Sequence, residues 1–125
     1  NILKILKKYN AEKWVSIHSF DYKILEAIHK LNPNITLQKL FVGNFKFTPF
    51  MVSTEIEKLD LDKYPYIKEY NLNYIFANRS IISFLKLNKK KVNIWTVNNA
   101  DTAKELIALG ADGIITNNPN LLKSN

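Results

Sequence analysis

Apolar positions along the chain alternate between two spacings. Ile2, Leu3, Ile5 and Leu6 recur at helical spacing among Lys4, Lys7 and Lys8, as in the tail of an amphipathic helix. Tyr9 to Lys13 is a turn, and Trp14-Val15-Ser16-Ile17-His18-Ser19 alternates as a strand does. Asp21 suits a helix N-cap, since its carboxylate can accept the free amide protons of the next turn. The helix after it places Ile24, Leu25, Ile28 and Leu31 on one face, and Pro33 stops it by disfavouring helix in the residue before it. Ile35 to Val42 reads as a second strand ended by Gly43. Phe45 to Ser53 is aromatic and irregular, Thr54 to Leu61 a short helix, and Asp62 to Asn71 a loop with another short helix. Tyr74-Ile75-Phe76 reads as a brief strand, and Ser80 as the cap of a helix that carries Ile81, Ile82 and Leu85 and ends near Asn88. Val92 to Val97 is a full strand. Asn98 or Asn99 caps a helix with Ala103, Leu106 and Ile107 inward, and Gly110 takes the left-handed position after it. Gly113 to Thr116 is the last strand. Asn118, followed by Pro119, starts a final short helix.

Strands alternating with helices imply a parallel sheet with right-handed crossovers. Units of roughly thirty residues fit half of an eight-stranded α/β barrel or a small doubly wound sheet. In either, chemistry belongs at the carboxyl ends of the strands. Those ends are His18-Ser19-Phe20, Phe41-Val42, Trp95-Thr96-Val97-Asn98 and Thr116-Asn117.

Composition narrows the partners. The 125 residues, 46% of them hydrophobic, make one domain or part of a larger one. No apolar run is long enough to span a bilayer, and no signal-peptide pattern opens the chain. The start at Asn1, without an initiating Met, is expected to be a cut or to lack an upstream region. With no cysteine there are no disulfides, thiolate sites or Cys nucleophiles. The net charge of +7 comes from scattered lysines with a single Arg, Arg79, so no nucleic-acid partner is expected. Lys89-Lys90-Lys91 reads as a solvated turn before a strand.

Few side chains suggest chemistry. His18, at a strand end, could act as a general acid or base, but the sequence shows no group to orient it. His29 is expected to face solvent. Two histidines without ligand spacing offer no metal site. The acidic residues do not pair: Asp112 reads as a turn residue, and Glu55, Glu57, Asp60 and Asp62 as solvating a helix. Ser19 lacks the glycines of a nucleophile elbow, and three Gly residues in all cannot build a phosphate loop. Trp95 stands apart. At a strand end it can be a core residue or a wall facing a ligand.

Three patches in order resemble the C-terminal half of the glycerophosphodiester phosphodiesterase family. They are Val15-Ser16-Ile17-His18-Ser19-Phe20-Asp21 with Leu31-Asn32-Pro33, then Trp95-Thr96-Val97-Asn98, then Gly110-Ala111-Asp112-Gly113-Ile114-Ile115-Thr116 with Pro119. Two positions depart from the family pattern: Gln38 and Lys39 stand where glycine is common, and Asn117 where Asp follows the final Thr. The resemblance implies the C-terminal half, about strands 5–8 with their helices, of a TIM (β/α)8 barrel, with residues 1–125 as a single partial domain. It implies hydrolysis of glycerophosphodiesters to glycerol 3-phosphate and an alcohol. The divalent cation (Mg2+ or Ca2+) and the acid–base histidines belong to the other half, so this chain carries no catalytic residue or metal ligand and is expected to be inactive alone. Trp95, with Phe20 and Ser19 on the rim, would line the substrate. The implied partners are a small glycerophosphodiester and either a missing N-terminal half-barrel or a second copy; location in the cytoplasm or on a membrane would depend on an absent upstream region. The alternative is a non-catalytic half-barrel module that self-associates or binds phosphorylated ligands through its basic rim.

Overall fold

The computed structural model describes residues 2–42, 59–120 and 122–123. The elements run α1 (Ile2–Lys8), β1 (Ser16–Ser19), α2 (Tyr22–Leu31), β2 (Thr36–Phe41), β3 (Glu69–Asn73), α3 (Arg79–Leu87), β4 (Lys91–Trp95), α4 (Ala100–Ala108) and β5 (Gly113–Ile114). The strands form one sheet in chain order, β1-β2-β3-β4-β5, and every neighbouring pair is parallel. The expected α/β architecture is present, with five strands in the expected order and the third of them at Glu69–Asn73.

Strand alternation divides the sheet into two faces. Ile17, Leu37, Tyr70, Leu72, Val92, Ile94 and Ile114 share the apolar face by register. Leu25 and Ile28 of α2, Ile81, Ile82 and Leu85 of α3, and Ala103 and Leu106 of α4 are buried with them in one core. The other face carries Ser16, His18, Thr36, Gln38, Glu69, Asn71, Asn93 and Trp95. It is a polar face, unlike the branched apolar layers usual inside such barrels.

Several local expectations change. The strand in the long excursion is Glu69–Asn73, not Tyr74-Ile75-Phe76, which forms a turn, and residues 62–68 hold no helix. Tyr70 and Leu72 point to the core while Glu69, Asn71 and Asn73 point away, a strand's alternation in residues of low strand propensity. Asn78, not Ser80, caps α3, accepting from the Ile81 amide at 3.1 Å. Residues 118–120 form a turn rather than the start of a helix. Ile24, Leu31 and Ile107 lie on the outer sides of their helices, exposed, while Leu25, Ile28, Ala103 and Leu106 form the true inward stripes. The Gly43 strand end, the irregular stretch from Phe45 to Ser53 and most of the expected helix from Thr54 lie outside the described residues.

Other features match. Asp21 caps α2, its side chain accepting from the Lys23 amide at 2.8 Å, and Asn99 caps α4, accepting from Thr102 at 2.9 Å. Gly110 has φ +108, and the following Ala111 amide donates back to the Leu106 carbonyl, closing α4. Two lysines are buried, one of them in the triplet expected to be a solvated turn. They are Lys39 and, in the triplet, Lys90, whose ammonium donates to the Ile67 carbonyl at 2.8 Å. Burial pushes the Lys90 ammonium below its usual range, and neighbouring Lys68 adds to the effect.

Candidate functional site

Parallel register brings the carboxyl ends of all five strands to one rim. At the end of β4, the indole of Trp95 donates from Nε1 to the Asn71 carbonyl at 2.9 Å, which fixes the ring against β3. The peptide bond between Trp95 and Thr96 is cis. Phe20, in the β1–α2 loop, meets the indole edge-on, with ring centroids 5.9 Å apart and planes at 71°. This is the favoured geometry for an aromatic pair. Phe20 is exposed and Trp95 half-buried, so the two form an aromatic wall open to solvent.

Ser19 is placed differently from its two partners. It lies in register with Lys39, on the apolar side of the sheet, and its hydroxyl accepts from the Asp21 amide at 3.0 Å. With the Asp21 cap it shapes the loop that carries Phe20.

Beyond Trp95 the rim is built from amides and hydroxyls. Asn98 Oδ1 accepts from the Thr116 hydroxyl at 3.1 Å and the Asn117 backbone amide at 3.0 Å. The Asn117 position thus contributes its backbone to the rim. Thr116 Oγ1 in turn accepts from the Asn118 amide. This ties the segments after β4 and β5 into one ledge.

Below the rim, the polar face carries a ladder that runs across three strands. Gln38 Nε2 donates to Glu69 Oε2 at 2.9 Å, and Asn93 Nδ2 donates to the same oxygen at 3.1 Å. Asn71 Nδ2 donates to Gln38 Oε1 at 2.8 Å, and Asn71 Oδ1 accepts from Asn93 Nδ2 at 2.9 Å. Gly113 completes the layer, since a Cβ there would stand 2.5 Å from Asn93 Oδ1. Sequence reasoning missed this ladder. The available signal was the alternation of Glu69, Asn71 and Asn73 with Tyr70 and Leu72.

His18 lies on the same polar face beside Gln38, exposed, with no hydrogen-bond partner for its ring among the described residues. His29 is not simply solvent-facing: its ring stacks on Tyr66 with centroids 3.9 Å apart. Asp112 is more than a turn residue. It pairs with Lys86, accepts from the Val92 amide at 2.8 Å, and donates its own amide to the Val92 carbonyl. Partial burial pushes its carboxyl up, but the Lys86 hydrogen bond, then the Val92 amide, outweigh that and hold it below its usual value.

Among the described residues, no three His, Asp or Glu side chains are grouped to hold a metal ion. The rim's own donors are neutral amides and hydroxyls. These residues do not by themselves fit a divalent-cation site. No described helix is long and apolar enough to cross a membrane.

Residues 1–121 match the model of the glycerophosphoryl diester phosphodiesterase family. A glycerophosphodiester phosphodiesterase of Caldanaerobacter subterraneus subsp. tengcongensis is 27% identical over 121 residues, which are 97% of this chain and 46% of that protein. Among solved structures, a glycerophosphodiester phosphodiesterase from Parabacteroides distasonis superposes with TM-score 0.71 and 20% identity, over 95% of this chain and 45% of that one. An Oleispira antarctica phosphodiesterase in complex with the product sn-glycerol-3-phosphate gives TM-score 0.67 and 20% identity, over 92% and 43% of the two chains. The chain spans less than half the length of each, and its parallel sheet with flanking helices corresponds to half of their barrels.

Proposed function

Since the chain belongs to the glycerophosphoryl diester phosphodiesterase family, we propose that it forms one half of a barrel that hydrolyses glycerophosphodiesters to glycerol 3-phosphate and an alcohol. In this reading the chain supplies a wall and a ledge of the substrate site. The observation that carries it is the aromatic pair Phe20–Trp95, open to solvent at the carboxyl ends of the strands, where chemistry in such barrels is concentrated. Trp95 offers a flat apolar surface to the carbon side of a glycerol group, Phe20 sets its outer boundary, and Ser19 holds the loop beneath Phe20. The Oleispira structure with sn-glycerol-3-phosphate supports the ligand class. The Mg2+ or Ca2+ ion and the acid–base histidines implied by the family belong, in this proposal, to the part of the barrel outside this chain.

Two measurements test it. The chain alone, given glycerophosphocholine with Mg2+ or Ca2+, is expected to release no glycerol 3-phosphate above background; clear hydrolysis would sink the division of labour between the halves. Glycerol 3-phosphate is expected to shift the Trp95 indole resonance saturably, with the response weakened in Phe20→Ala. An indole resonance that stays put at the highest soluble ligand concentration would remove the wall assignment.

A further inference from the structure

We propose that Lys39 is a positioning residue for this aromatic wall: its buried ammonium pins the loop that carries Phe20 and so sets the face that Phe20 turns to Trp95. The role of the wall rests on the proposed function; the pinning itself does not.

Lys39 sits inside β2, with its side chain on the apolar side of the sheet, in register with Ser19 on one side and Tyr70 on the other. A lysine there has to bring its charge into the core, and it is only 7% exposed. Burying an ammonium is costly unless hydrogen bonds and counter-dipoles compensate. Lys39 Nζ finds those groups at the rim. It donates to the Phe20 carbonyl at 2.8 Å and to the Leu40 carbonyl at 2.7 Å. It also lies over the ring of Tyr22, 4.7 Å from the centroid, a cation–π contact. The Phe20 carbonyl belongs to the loop after β1, and the Leu40 carbonyl to the end of β2. One ammonium therefore joins two strand ends directly beneath the residue whose ring meets Trp95.

The same side chain reaches further. Tyr22 stacks on Tyr64 with centroids 4.2 Å apart and planes at 9°, and its hydroxyl donates to the Leu59 carbonyl. Residues 59 to 64 are thereby tied to the first turn of α2, next to the Phe20 loop. Burial pushes the Lys39 ammonium below its usual range, against a smaller opposing pull from Asp21. The titratable groups that face it are Tyr22 under the ammonium, Tyr70 in register on β3, and Asp21, whose charge acts on it.

The test uses the whole chain with Trp14, which is 75% exposed, changed to Phe, leaving Trp95 as the sole indole. Lys39→Met keeps the length of the stem and removes the donor. With Phe20 no longer held against the ring, the acrylamide quenching constant of Trp95 is expected to rise about twofold, as for Phe20→Ala. Adding Lys39→Met to Phe20→Ala is expected to change it little further, because both act through one contact. Unchanged quenching in a folded Lys39→Met chain, or fully additive effects, would overturn the proposal. Should Lys39→Met not fold, the unmutated chain gives the answer. Near neutral pH its Lys39 ammonium protons are expected to exchange slowly enough for 15N-edited NMR and to show a cross-peak to Phe20. Fast exchange, like that of a surface lysine, would overturn it. Neither measurement involves substrate, so this inference and the proposed function can fail separately.

Discussion

At the scale of single residues, Asp112 shows how much one carboxylate can fasten. It joins α3 through Lys86, the start of β4 through Val92, and the entry to β5 through its own backbone. Asp112→Ala leaves the Val92 amide without its side-chain acceptor, an expected loss of about 1–3 kcal/mol; the partly exposed Lys86 pair contributes at most about 1 kcal/mol. The pH dependence follows from the direction of its shift. Its folded value lies below that of the unfolded chain, so its contribution is fully present above the unfolded value of about 3.9. It is lost as pH falls through the folded value. Urea melts of wild type and Asp112→Ala are expected to diverge at pH 7 and to draw together in acid, as pH falls below that reference. An equal gap at both would return Asp112 to an ordinary turn residue.

At the scale of elements, the caps of α2 and α4 and the centres of the inward stripes were legible because local chemistry decides them, whereas Asn78 was passed over for Ser80, and Ile24, Leu31 and Ile107 were placed inward though exposed. Asp21 and Asn99 have side chains that can cap only their own helices, and Leu25 and Ile28 repeat at helical spacing. β3 was not legible, for a physical reason. Asn and Glu disfavour strands in isolation, and only the ladder to Gln38 and Asn93 makes them good strand residues here. That partnership joins residues more than twenty positions apart. Lys39 escaped for a similar reason, since a lysine between Gln38 and Leu40 gives no sign that two carbonyls wait for it. The ladder carries its own prediction. Asn71 is fully buried and in register with Asn93, and the ladder links it through Gln38 and Asn93 to Glu69. Asn71→Ala is expected to cost about 1–3 kcal/mol by leaving amides unpaired. Asn71→Asp at pH 7 should cost more, because it removes a donor and adds a second carboxylate to the network. Denaturant melts check the order, and the excess cost of the Asp variant should fade in acid. Equal costs at pH 7 would mean that solvent screens the ladder.

At the scale of the whole molecule, the α/β architecture and the rim were legible from alternating elements and three short patches. The place of β3 and the polar face were not. The described sheet ends in β1 and β5, each paired on one side only, and its polar face carries Glu69 with amide donors alone. Open strand edges present unpaired backbone groups to any similar edge. Light scattering across a concentration series is therefore expected to show association of the chain alone. A mass equal to the 14.5 kDa of one chain at every concentration would count against this.

The bond from the Trp95 indole to the Asn71 carbonyl bears on what kind of selectivity this wall can exert. With its one polar hydrogen already engaged inside the sheet, the ring has no donor left for a ligand hydroxyl. It can sort molecules only by bulk and shape. Discrimination of that kind is shallow: one methylene more or less in an apolar pocket is worth about 1–3 kcal/mol. On the proposed reading, a wall of this sort against the glycerol carbons would tolerate changes of bulk there without reading a hydroxyl. Any hydroxyl of that group would then have to be read by polar groups other than this ring.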